Sequence, residues 1–167
     1  MTTSTRLLGM AAVMGGCIGC DQATKRAAEQ SLAGSAPISF VGDVFRLQYA
    51  ENTGAFLGMG GNLDPRLRFW AFTILVAVLL LGALWWGLTA PLSRTRVLAL
   101  AAILGGGWSN WLDRVVNNGA VVDFMNLGLG PLRTGIFNVA DVAIVVGAAL
   151  LAVRWSSPQG RPAAQSP

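Results

Sequence analysis

The sequence predicts an all-α membrane protein: four transmembrane helices, with a small extracytoplasmic β-sheet between helices 1 and 2. Three observations predict it. Apolar residues make up 53% of the 167 residues and charged residues only 12%, about half the charged share of a soluble globular domain. Four apolar stretches of helical length follow one another along the chain. A polar segment between the first two carries the period-two alternation of a strand.

The first apolar stretch, Leu7 to Cys20, holds 14 uncharged residues between Arg6 and Asp21. The second, Phe69 to Ser93, runs 25 residues without a charge, enough for a helix across a hydrocarbon core of about 30 Å. The third, Val97 to Leu112, has 16 uncharged residues, and the fourth, Thr134 to Val153, spans 20 with one charge, Asp141. These shorter stretches read as helices whose outer turns carry polar function. In the segment from about residue 26 to 67, Phe45, Leu47 and Tyr49 alternate with Arg46, Gln48 and Ala50, and Asn52-Thr53-Gly54 supplies turn residues. The expected element is a small sheet resting on the membrane surface. Residues 1–155 form one membrane domain, and the tail 156–167, with three prolines and no apolar run, reads as a disordered cytoplasmic segment.

Charge distribution orients the chain. Four spans place both termini on one side, which carries Arg6, Arg94, Arg96, Arg154 and Arg161 and no acid; all eight acids fall on the other. A count of Lys and Arg alone does not decide the orientation. The segregation of the acids places the termini in the cytoplasm. Trp85, Trp86 and Trp155 then mark the inner interface, and Trp70, Trp108 and Trp111 the outer one. Scattered arginines beside apolar segments read as interface anchors and not as a nucleic-acid footprint. Cys17 and Cys20 are too few for a disulfide framework.

Histidine is absent. That removes Ser-His-Asp and Cys-His catalysis, HExxH zinc sites and His proton relays together. Proton chemistry then falls mainly to eight carboxylates, and Asp123 and Asp141 are the pair singled out. Asp141 lies inside an apolar stretch, where an ionisable group is costly and marks function by default. Asp123 sits in Val121-Val122-Asp123-Phe124. Two carboxylates sharing a low-dielectric site hold one proton between them, the arrangement that activates water on a peptide carbonyl. The plainer alternative is that Asp123 caps a turn and Asp141 pairs with an arginine. Asn110, Asp113 and Arg114 share a helix face, and Asn138 and Asp141 are spaced i, i+3. Neighbours Asp113 and Arg114 are not expected to pair with each other. Asp21 and Lys25 are spaced i, i+4 with the acid first, and read on their own as an ion pair where a span emerges. Gly105-Gly106-Gly107 permits close helix approach.

In series, Asp21-x-x-x-Lys25, Asn52-Thr53-Gly54-Ala55-Phe56, Gly106-Gly107-x-x-Asn110-x-x-Asp113-Arg114, Val122-Asp123-Phe124 and Phe137-Asn138-x-Ala140-Asp141 resemble the lipoprotein signal peptidases, the type II signal peptidases of bacteria. The resemblance covers nearly the whole chain. It implies four transmembrane helices, a β-cradle facing the periplasm, and an aspartyl dyad near the outer interface of the inner membrane, which by position is Asp123 and Asp141. Asn110, Arg114 and Asn138 would line the site. Asp21, Lys25, Asn52, Gly54, Asp113 and Ala140 would support or shape it, with Asn110 and Arg114 bracing the carboxylates. The implied substrate is a prolipoprotein whose cysteine carries diacylglycerol, cut just before that cysteine. The resemblance implies no cofactor and no metal, and the expected partners are such substrates and membrane lipids, for a monomer that binds no nucleic acid. Trp108-Ser109 departs from the small or aliphatic residues usual at that place, an expected change in packing that leaves the polar positions untouched.

Two other classes of function stay open on sequence alone. Arg6, the apolar run and Ile18-Gly19-Cys20 look like a lipoprotein signal sequence, which would make the chain a substrate. A small transporter with Asp141 as its proton site is the other. A Gly-containing turn in the segment Gln48 to Leu57 is also the expected place for a lid over the site.

Overall fold

The computed structural model describes residues 2–54 and 64–156. Helix α1 is Thr3–Leu32, twice as long as the apolar run within it, because Asp21, Lys25 and their neighbours continue the helix. Thr2 caps it, its side chain accepting from the Thr5 N–H at 3.2 Å. Two strands follow, β1 (Ile38–Phe40) and β2 (Phe45–Asn52). Asp64 then caps a helical rod that has Pro65 in its first turn: α2 (Pro65–Phe69), a π-helical segment (Trp70–Leu75) and α3 (Val76–Thr89). It stops before Pro91, which disfavours helix in the residue ahead of it. Helix α4 is Arg94–Val116, capped by Ser93, and α5 is Val139–Ser156. Phe72–Thr89 is long and apolar enough to cross a membrane.

Contacts set the helix directions. Gly9 faces Leu98 and Gly105 faces Cys17, so α1 and α4 run parallel. Gly87 faces Leu100 while Gly107 faces Leu80, and Gly147 faces Ile103 while Gly106 faces Ile144, so α3 and α5 run against α4. The result is an alternating bundle around α4, with Val97, Ala101 and Leu104 wholly buried. Three consecutive glycines of α4 each meet a different helix. A Cβ on Gly105 would lie 2.8 Å from Cys17 Cβ of α1, one on Gly106 would strike the Ala140 carbonyl of α5, and one on Gly107 would lie 2.6 Å from a Leu80 methyl of α3. Small residues let membrane helices approach in this way. Of the tryptophans assigned to the outer interface, Trp70 is exposed, but Trp108 and Trp111 are half-buried, edge to face at 5.1 Å, with Trp111 Nε1 donating to the Thr73 carbonyl at 2.9 Å.

The sheet differs from the sequence reading. It does not lie wholly between the first two helical stretches: β3 (Val121–Leu129) and β4 (Leu132–Arg133) come from between α4 and α5 and complete an antiparallel sheet of order β1-β2-β3-β4. Residues Val121 to Phe124 are buried on both faces, so they lack the alternation that reveals a half-buried strand. Between β2 and β3 the register slips at Leu47/Ala50. This bulge re-aims the end of β2, as bulges beside functional sites do, and sets Ala50 opposite Asp123 and Asn52 opposite Val121.

Candidate active site

Asp141 and Asn138 start α5 as a reciprocal cap. The Asp141 N–H donates to Asn138 Oδ1 at 2.9 Å, and the Asn138 N–H donates to Asp141 Oδ2 at 3.2 Å. This is the logic of a capping box with Asp in place of Glu, and it accounts for the i, i+3 spacing. A third orphan donor of this helix start, the Ala140 N–H, is taken by Asp21 Oδ1 of α1 at 2.8 Å.

Asn138 also joins the two strongest candidates. Its Nδ2 donates to Asp123 Oδ1 at 2.6 Å, while its backbone holds Asp141. Asn52 Nδ2 donates to Asp123 Oδ2 at 3.0 Å, and Asn110 Nδ2 donates to Asp141 Oδ1 at 2.9 Å. Neither residue takes the plainer role: Asp123 sits within β3, and the partners of Asp141 are asparagines. Asp123 is 2% exposed, and burial pushes its carboxyl up to about 6 against the opposing donor of Asn52. Both aspartates line a cavity of about 360 Å³ with Asn52, Asn110, Arg114 and apolar residues of the rod and α5. Asp141 also borders a second, almost wholly apolar hollow with Val142, Val145 and Val146.

Beneath the aspartates lies a buried charged cluster. Lys25 Nζ meets Asp21 Oδ2 at 2.7 Å, Asn110 Oδ1 at 2.8 Å and Asp113 Oδ2 at 2.9 Å. Asp21 and Lys25 do form the expected ion pair, but not at an emerging helix end: they are 0% and 3% exposed, inside the bundle. Asp113 Oδ2 also accepts the Val122 N–H at 3.0 Å, anchoring β3 one residue before Asp123. Arg114, its sequence neighbour, bonds elsewhere: Nη1 to the Asn110 carbonyl at 3.2 Å and Nη2 to the Gly54 carbonyl at 3.0 Å, with Phe72 beneath its guanidinium. Its hydrogen bonds go to backbone carbonyls, and it acts on the carboxylates Asp123 and Asp141 through its charge. Gly54 in turn donates its N–H to Asn52 Oδ1 at 3.0 Å. The motif residues Ala55 and Phe56 and the lid segment beyond Gly54 lie outside the described residues; of the expected tail 156–167, Ser156 is the last residue of α5 and the rest likewise lies outside them.

Sequence reasoning missed three contributors. Ser109 does touch the polar positions: its Oγ donates to Asp21 Oδ2 at 2.8 Å. Gln22 Nε2 donates to Ser109 Oγ at 3.1 Å and Asp113 Oδ1 at 2.7 Å; the placement of Ser109 and Asp113 at i, i+4 on α4 was the available signal. The π-helical segment is the third, and such widened turns gather at functional sites. Helix α1 runs unbroken through Cys20, so removing the residues before it would cut the helix that carries Asp21 and Lys25.

The fold is one found in bacterial membrane enzymes. Two such structures, determined by the in meso method at 2.3 Å and 1.9 Å resolution, match with TM-scores of 0.74 and 0.75 at 19% and 21% identity. The matches cover 95% and 93% of this chain and 95% of each of those chains. In sequence, residues 7–156 match the family described as Signal peptidase (SPase) II. A lipoprotein signal peptidase of Borrelia turicatae is 33% identical over 72% of this chain and 72% of its own. Those of Mycobacterium leprae and Symbiobacterium thermophilum are 34% and 36% identical, over 88% and 78% of this chain and 69% and 83% of theirs. The chain belongs to the signal peptidase II family, bacterial membrane peptidases that remove signal peptides.

Proposed function

We propose that the chain is an aspartyl endopeptidase that cleaves diacylglyceryl-modified prolipoproteins just before the lipidated cysteine, with Asp123 and Asp141 as its catalytic residues. The observation that carries this reading is Asn138, one buried residue that donates to both carboxylates, from its side chain to Asp123 and from its backbone N–H to Asp141, where they open onto a single cavity. With one proton between them, the ionised carboxylate takes a proton from water as it attacks the scissile carbonyl. The protonated one polarises that carbonyl and passes a proton on to the leaving amine. Asn52, Asn110 and Asn138 present N–H groups, which hold the carboxylates without competing for their protons.

The apolar wall of the cavity, formed by Phe72, Val76, Ile144, Val145 and Ala148, suits a substrate arriving from the bilayer with its acyl chains. In this reading four helices span the inner membrane, the sheet forms a cradle on the extracytoplasmic face, both termini are cytoplasmic, and the enzyme works as a monomer. Purified wild type, Asp123→Asn and Asp141→Asn are to be compared on a diacylglyceryl prolipoprotein in detergent. Loss of cleavage by about 10³-fold or more in both variants, with binding of the lipidated substrate kept, is the expected result. Full activity in either variant removes that aspartate from the mechanism, and an inactive wild type removes the function.

A further inference from the structure

Three side-chain amides around the aspartates could each present oxygen or nitrogen, and only one choice is compatible with all their neighbours. Asn52 Oδ1 accepts the Gly54 backbone N–H, so its Nδ2 must face Asp123. Asn138 Oδ1 accepts the Asp141 backbone N–H, so its Nδ2 must face Asp123 and Asn110. For Asn110 no backbone group makes the choice. Its oxygen is held by Asn138 Nδ2 at 3.0 Å and, more strongly, by Lys25, whose ammonium has three donors and no acceptor and spends them on Asp21, Asp113 and Asn110 at 2.7 to 2.9 Å. The opposite orientation would aim Asn110 Nδ2 at the ammonium and Oδ1 at the Asp141 carboxylate, two repulsive contacts in place of two charge-assisted bonds.

We infer that Lys25 is a positioning residue for the proposed reaction: it acts through Asn110, turning that amide so that an N–H meets Asp141. The inference rests on the dyad reading above. The charged groups around Asn110 are Asp21 and Lys25 from α1, Asp113 and Arg114 from α4, Asp123 from β3 and Asp141 from α5. Lys25 is therefore more than a counter-ion for two buried acids. Without its hold, the Asn110 oxygen keeps only the neutral Asn138 amide, the N–H that meets Asp141 is held less firmly, and the ionised form of the dyad loses a nearby cation.

Lys25→Met alone would strand Asp21 and Asp113 in the bundle. Lys25→Met/Asp113→Asn keeps the cluster at one net negative charge, with Asp113→Asn as its reference and Lys25→Arg as the conservative variant. Each is purified as the full chain and its cleavage of the lipidated prolipoprotein is measured across pH. Relative to Asp113→Asn, the double variant is expected to keep KM, lose about 10- to 100-fold in kcat, and show the acid limb of its pH–rate profile about one pH unit higher. Lys25→Arg, whose guanidinium is likewise donor-only, is expected to keep the acid limb in place whatever its absolute rate. A folded double variant with the reference kcat and profile overturns the inference, as does a displaced acid limb in Lys25→Arg. Neither result touches the dyad reading, which fails only if wild type does not cleave or an aspartate variant does.

Discussion

Beneath the two aspartates, Lys25 stands between Asp21 and Asp113, whereas near the β1–β2 turn Asp43 stands between Arg46 and Arg133. One is a cation between two acids, the other an acid between two cations. The register places them at opposite ends of the sheet: Phe45 pairs with Leu127 near Asp43, and Asn52 pairs with Val121 near Asp123. Solvent separates them more than chemistry does. The Lys25 cluster is buried, and every donor of its ammonium has an acceptor. The Asp43 and Arg46 side chains are 40% and 34% exposed, and water can replace either partner. Buried ion groups are costly to break because the survivor stays uncompensated, while exposed pairs contribute little. The inner cluster therefore fixes geometry, and the outer one trims a turn.

Lys25→Met tests this contrast most severely. It should destabilise the bundle by about 3–5 kcal/mol in denaturant unfolding in detergent, while Arg46→Gln leaves the midpoint unchanged; equal effects would erase the distinction. Ser109→Ala comes next. It deprives Asp21 of the hydroxyl donor and Gln22 of an acceptor, for an expected loss of about 1–2 kcal/mol, and a neutral result would make Ser109 a mere space-filler.

A further contrast lies in pH. Burial raises the Asp123 carboxyl from 3.8 to about 6, whereas hydrogen bonds from Arg46 and Ser39 hold Asp43 well below the usual carboxylate range. A raised carboxyl keeps its proton in the folded state after the unfolded chain has released it, so the Asp123 contribution is favourable at low pH and fades as pH rises from 3.8 to about 6. The Asp43 contribution has the opposite sign: present above 3.8 and lost as pH falls below it. Melting curves of Asp123→Asn should decline less than wild type between those limits. The deficit of Asp43→Asn should narrow as the solution is acidified below 3.8, and parallel curves would refute both assignments.

Much of this organisation was legible in the residues. The apolar runs locate the helices, Phe45-x-Leu47-x-Tyr49 locates β2, and the glycine triplet foretells close packing, though not that each glycine meets a different helix. The Asn138-x-x-Asp141 spacing was visible, but its meaning as a helix cap needs the helix start, which falls several residues inside the apolar run. Strand β3 stayed hidden because both its faces are covered around Asp123, which removes the period-two signal. The placement of Asp21 and Lys25 was misjudged for a related reason. Charge next to an apolar run reads as an interface, and only three mutually satisfied partners make burial tolerable. Ser109 shares the i, i+4 face of Asp113, but that spacing and Gln22 become significant only when α1 and α4 are laid side by side.

The bond from Asp21 to the Ala140 N–H joins positions 119 residues apart, and it bears on how the protein is made. Helix α1, synthesised well before α5, holds a carboxylate for an amide of that later helix. Until that helix is inserted, the Asp141 side of the constellation does not exist, and Asp123 has no Asn138 to share. A nascent chain that lacks α5 therefore has Asp123 without Asn138 or Asp141, and the synthesis of that helix brings the two carboxylates together.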